Sequence, residues 1–75
     1  MKAILEFNLP EDSEDHELCV NAYRYHNTLF EFNQHLRGMI KYNSDKYTDK
    51  EIDLLIKIRE EFHDMLNNNN VNLDI

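Results

Sequence analysis

Residues 18–39 read LCVNAYRYHNTLFEFNQHLRGM, and their apolar members recur at Leu18, Ala22, Tyr25, Leu29, Phe32, Leu36 and Met39. Alternating steps of four and three hold these side chains on one narrow seam through about six turns of helix. A seam that long requires a partner helix, and the rest of the 75-residue chain supplies only part of one. The pattern therefore predicts a helical hairpin that also self-associates.

The flanking segments extend this reading to a single domain over residues 1–75. In residues 1–9, Ala3, Leu5, Phe7 and Leu9 alternate with polar neighbours, broken only by Ile4, as in a half-buried strand. Pro10 ends it, because proline cannot donate to a ladder. The acidic stretch Glu11–Asp15 suits the positive end of a helix, with Asp12 or Ser13 as N-cap. The first helix is expected over residues 13–42, followed by a turn at Asn43-Ser44-Asp45.

Thr48-Asp49-Lys50-Glu51 is a capping box that opens a second helix over residues 48–67. The run Asn67–Asn70 then stops it by competing for helical hydrogen bonds. In the tail, residues 68–75, the alternation of Val71, Leu73 and Ile75 fits a short terminal strand. The expected fold class is thus mainly α (α+β), a strand followed by a two-helix antiparallel hairpin.

The second helix is apolar on more than one side. Ile52, Leu55, Phe62 and Leu66 form an inner stripe with Arg59 inside it. Leu54, Ile58 and Met65 form another, which a monomer leaves exposed and which is the expected oligomer interface.

Size and charge narrow the functional classes. A chain this short hides only about 60% of its extended surface, so such domains lean on disulfides, metals or oligomerisation. The single cysteine, Cys19, excludes an intrachain disulfide. Without a disulfide framework or a secretory leader, a reducing cytoplasm is the expected compartment. No apolar run approaches the roughly 20 residues that cross a bilayer.

The net charge of −7 is unevenly spread: residues 1–17 carry six acids against Lys2, and residues 48–75 seven acids against three cations. Residues 18–47 carry Arg24, Arg37, Lys41 and Lys46 against Glu31 and Asp45. Phosphate backbones repel such a chain, so direct nucleic-acid binding is disfavoured. A basic protein partner, or mimicry of nucleic acid, stays open.

Chemistry-bearing constellations are sparse. His16, His26, His35 and His63 include no i, i+4 pair of the zinc-binding kind, and His16 with Cys19 makes two ligands rather than a site. No metal, cofactor or catalytic residue is expected, since no nucleophile arrangement or phosphate loop occurs. Gly38, the only glycine, sits mid-helix at a cost of about 1 kcal/mol and is expected where a second helix or subunit crosses closely. Gln34, Arg37 and Lys41 recur at helical spacing beside Tyr42, with Arg24 on a neighbouring strip. A guanidinium beside tyrosines suits an anion or nucleotide, and equally the acidic first turn of another subunit. Glu60, Glu61 and Asp64 offer an acidic partner face.

Two stretches carry a family resemblance. Lys2-Ala3-Ile4-Leu5-Glu6-Phe7-Asn8-Leu9-Pro10-Glu11-Asp12 resembles the start of small uncharacterised bacteriophage proteins. So does Leu29-Phe30-Glu31-Phe32-Asn33-Gln34, followed by Leu36-Arg37 and Ile40-Lys41-Tyr42. The family often has tryptophan where this chain has Phe30. The resemblance covers residues 2–42 and continues loosely through the second helix; it brings no catalytic motif.

What it implies is a phage-encoded, non-enzymatic protein acting in the host cytoplasm. The leading expectation is binding and inhibition of a bacterial host protein, an immune effector being the natural class. An oligomeric sponge for a small anionic signalling nucleotide is the alternative, and a nucleic-acid mimic the third.

Overall fold

The structure, a computed structural model, describes residues 1–42 and 44–74. Its elements are α1 (Ser13–Val20), α2 (Ala22–Lys41) and α3 (Asp49–Asn68), with a 3-10 turn at Ser44–Lys46 leading into α3. Ile40 and Ile56 line one groove near the turn, and Asn33 meets His63 farther along, which fixes α2 and α3 as an antiparallel hairpin. The fold is mainly α, as the periodicity predicts.

The first helix is not continuous. Asn21 interrupts it, and the Asn21 side-chain amide donates to the Glu17 carbonyl at 2.9 Å. Asparagine competes in this way for the backbone acceptors that a helix interior needs. Asp12 occupies the N-cap of α1, yet its carboxylate accepts from the Asn8 backbone N–H at 2.9 Å instead of capping the helix. The Ser13 hydroxyl donates to the Pro10 carbonyl.

The expected strand over residues 1–9 is not formed, and no strand occurs among the described residues. A strand needs a ladder partner, and the described part of the tail forms no strand that could supply one. Phe7 instead stacks edge-on against His16, with ring centroids 5.3 Å apart. The C-terminal alternation likewise yields turns at Leu73 and Asp74; its last member, Ile75, and the turn residue Asn43 lie outside the described residues.

Both ends of α3 are closed by local chemistry. At its start the Thr48 hydroxyl accepts from the Glu51 N–H while the Glu51 carboxylate accepts from the Thr48 N–H, a complete capping box. These bonds, the backbone one first, hold the Glu51 carboxyl below its ordinary value. At its end Asn70 takes the left-handed conformation, with φ 56°. The Val71 N–H then reaches back to the Leu66 carbonyl at 2.8 Å and the Asn70 N–H to that of Asn67 at 3.2 Å. This is a Schellman ending, with asparagine where glycine is commonest.

The hairpin buries little. Leu36, 4% exposed, is the only buried side chain among the described residues. Leu29, Met39 and Ile40 of α2 and Ile52, Leu55, Phe62 and Leu66 of α3 are half-buried around it. Phe32 and Phe62 meet edge-on at 5.2 Å. Leu18, Tyr25 and Phe32, which the periodicity places on the same seam, remain exposed. α3 has the same 20 residues as α2 and ends before it reaches Tyr25 and Leu18, which leaves that end of the seam uncovered. At Gly38 the expected close crossing does not occur within the chain: a Cβ there meets nothing within 4 Å.

Gly38→Ala is therefore expected to raise the melting temperature by the several degrees that about 1 kcal/mol gives a domain this small. A fall in melting temperature together with loss of self-association would show a second copy crossing at Gly38. For Glu51, whose folded value is depressed, the capping contribution is full above the ordinary carboxyl range and fades as pH falls through the lowered value. Melting curves of the parent should lose stability over that acidic window more than those of Glu51→Gln.

Candidate functional site

Three surfaces carry chemistry. The first lies along the edge of the hairpin seam, where polar side chains flank the apolar contacts. The His63 Nε2 and the Asn33 Oδ1 lie 2.9 Å apart across the two helices, so the Nε2–H tautomer donates to the amide oxygen. One turn towards the loop on α3, Arg59 occupies the inner stripe among Ile52, Leu55 and Phe62. Its Nε is shielded from solvent and meets no acceptor among the described residues, and the shielded His26 Nε2 likewise has no hydrogen-bond partner among them. A shielded donor left unpaired costs about 1–3 kcal/mol. Beside it runs an open groove of about 380 Å³ lined by Ile40, Ile56, Arg59, Glu60, His63 and Asp64.

The second surface is the basic strip of α2. Gln34, Arg37 and Lys41 recur at steps of three and four, so one flank of the helix holds all three. Gln34 and Lys41 are exposed and Arg37 is half-buried. Arg24 does not join them. Its Nε donates to the Tyr23 hydroxyl at 3.0 Å, its guanidinium sits 5.7 Å from that ring, and Arg37 lies roughly 20 Å farther along the helix. Tyr42 caps the end of α2 and is well exposed. The five residues grouped from sequence thus divide into a compact trio and two outlying members.

The third surface is the outer face of α3. Leu54, Ile58 and Met65 are 58%, 37% and 61% exposed. Glu61 lies within this stripe, three residues after Ile58 and four before Met65. Glu60 and Asp64 lie one turn apart on the adjoining strip and face the groove instead. The acidic partner face is therefore divided: one acid rims the apolar stripe and two rim the groove.

Elsewhere, Leu5, Phe7, Leu9, His16, Cys19 and Val20 line a shallow groove between the N-terminal segment and α1. The Cys19 thiol is exposed. Among the described residues no group of three or more histidines, cysteines or carboxylates is placed to hold a metal ion. No helix there is long and apolar enough to cross a membrane. No protein-family model, curated protein or solved structure matches the chain.

Sequence reasoning missed the groove and the Asn33–His63 bond. The available signals were Arg59 inside an apolar stripe and Asn33 three residues before Leu36 on the inner line. Replacing Arg59 by methionine, similar in volume but without a donor, is expected to stabilise the isolated hairpin. Thermal melts at low protein concentration should move upward by a few degrees.

Proposed function

We propose that this chain is a non-enzymatic, phage-encoded protein that self-associates and binds and inhibits a bacterial host protein in the host cytoplasm. An anti-defence role, against an immune effector, is the reading that follows from its resemblance to small phage proteins. The observation that carries the binding role is surface. The chain exposes 6684 Å², whereas a compact monomer of 9.1 kDa exposes about 4,900 Å². The difference, roughly 1,800 Å², exceeds the ~800 Å² per partner of a standard interface. A surface this extended and apolar is suited to being covered.

The outer stripe of α3 provides the apolar contact for self-association through Leu54, Ile58 and Met65. Glu61 at this stripe, and Glu60 and Asp64 on the adjoining groove, favour a basic partner and steer its approach. A second reading, the oligomeric nucleotide sponge, draws support from Gln34, Arg37 and Lys41 sharing one flank of α2, since self-association duplicates that trio. The nucleic-acid mimic has less support, because the basic strip interrupts any phosphate-like array of acids.

The test is native mass spectrometry of protein purified from a bacterial host. Leu54→Asp with Met65→Asp is expected to abolish self-association. Glu60→Lys with Asp64→Lys, both on the groove and off the apolar stripe, should keep the oligomer and weaken capture of the host polypeptide at least roughly tenfold. A monomeric parent protein refutes the self-association. An oligomer holding a small anionic mass in place of a polypeptide moves the sponge to the front, and calorimetry against cyclic and linear nucleotides then identifies the ligand class.

A further inference from the structure

Two uncovered surfaces of the chain complement each other. On α1, Leu18 is exposed, and Glu14 and Asp15 stand four and three residues before it, on the same side of the helix. α1 buries none of its residues. Its other side, with His16, Cys19 and Val20, is turned to the N-terminal segment. On α2, Tyr23, Phe30, Gln34, Arg37 and Lys41 recur at steps of seven, four, three and four. All but Arg37 are exposed, so α1 does not cover this strip within its own chain. One surface is an apolar knob rimmed by acids; the other is an aromatic and cationic track. Charge divides the same way, six acids against one cation before residue 18 and four cations against two acids from 18 to 47.

We propose that the Glu14–Asp15–Leu18 face of α1 docks on the Phe30–Arg37–Lys41 strip of a second copy, and that the second copy returns the contact. The inference rests on the self-association reading and specifies a surface other than the stripe of α3. Leu18 covers Phe30, while the two carboxylates approach the Arg37 guanidinium and the Lys41 ammonium, the pairing that makes charge-assisted hydrogen bonds strongest. Two-fold exchange makes every contact twice, so weak individual ion pairs add up. The roughly 1,800 Å² of excess surface accommodates this interface as well as the stripe of α3. The strip is thereby assigned to protein carboxylates, and a nucleotide reaches it only by displacing α1.

Sedimentation equilibrium of the full chain tests the contact. Glu14→Lys with Asp15→Lys, and separately Arg37→Glu with Lys41→Glu, should each raise the dissociation constant about tenfold. The combination of all four should restore it to within about threefold of the parent, as a reciprocal charge exchange requires. Dissociation of the parent should also rise with added salt. The neutral pair Glu14→Gln with Asp15→Gln, which adds no repulsion inside α1, should weaken association with an unchanged far-ultraviolet dichroism spectrum.

Parent-like association in both reversed pairs overturns the inference, as does a fourfold variant no tighter than either pair. In that case retained association that Leu54→Asp with Met65→Asp abolishes leaves the self-association reading standing. A parent chain that sediments as a monomer at all concentrations overturns both.

Discussion

The contact of α2 with α3 around Leu36 is the constraint on which everything else in this molecule depends. One buried leucine contributes about 1.5–3 kcal/mol, against a backbone ordering cost of about 1–2 kcal/mol for each residue fixed. The half-buried ring of Leu29, Met39, Ile40, Ile52, Leu55, Phe62 and Leu66 enlarges the apolar contribution without enclosing a second layer. The result is an extended body, 53 × 28 × 20 Å with a radius of gyration of 17.5 Å. A compact chain of this length has a radius of about 11 Å. Covering more apolar surface is the stabilising step left to such a hairpin, and a second polypeptide can supply the cover.

The distribution of polarity in the hairpin points the same way. Asn33, His63 and Arg59 occupy the seam, while Leu54, Ile58 and Met65 look outward. A polar pair across a seam contributes little net stability but penalises sliding, because a shifted register separates donor from acceptor. The Asn33–His63 bond thus favours one alignment of α2 with α3. That alignment places Ile40 opposite Ile56 and keeps the outer stripe of α3 continuous. Polarity at the edge of the seam favours one register, while the outer face of α3 stays apolar.

The hairpin was legible in the sequence because period and caps agree. Thr48 and Glu51 announce the start of α3, and the inner stripe of α3 is half-buried as its spacing requires. Where the reading failed, a local competitor prevailed over a periodic pattern. Asn21 carries no apolar signal and breaks α1 from α2 through its own side-chain amide. Residues 1–9 alternate as a strand does, but alternation specifies a face and not a partner, and Phe7 found His16. The four asparagines end α3 as expected, although by the left-handed Asn70 more than by competition alone. The basic trio on α2 was visible as a helical spacing; its separation from Arg24 follows from the rise of the helix and the hydrogen bond to Tyr23.

Charge order along the chain gives these faces a direction. Acids concentrate in the segment leading into α1 and along α3, whereas the densest cations lie on one flank of α2. Folding into a hairpin brings α3 beside α2, and among the described residues no cation is paired with the acidic face of α1. α1 ends at the break at Asn21, and Glu14, Asp15 and Leu18 share one side of this short helix. Glu14, Glu17 and Leu18 still border Tyr25 of α2, with which they line one open groove. The end of the seam thus stays open, an apolar and acidic surface that the proposed contact with a second copy would cover.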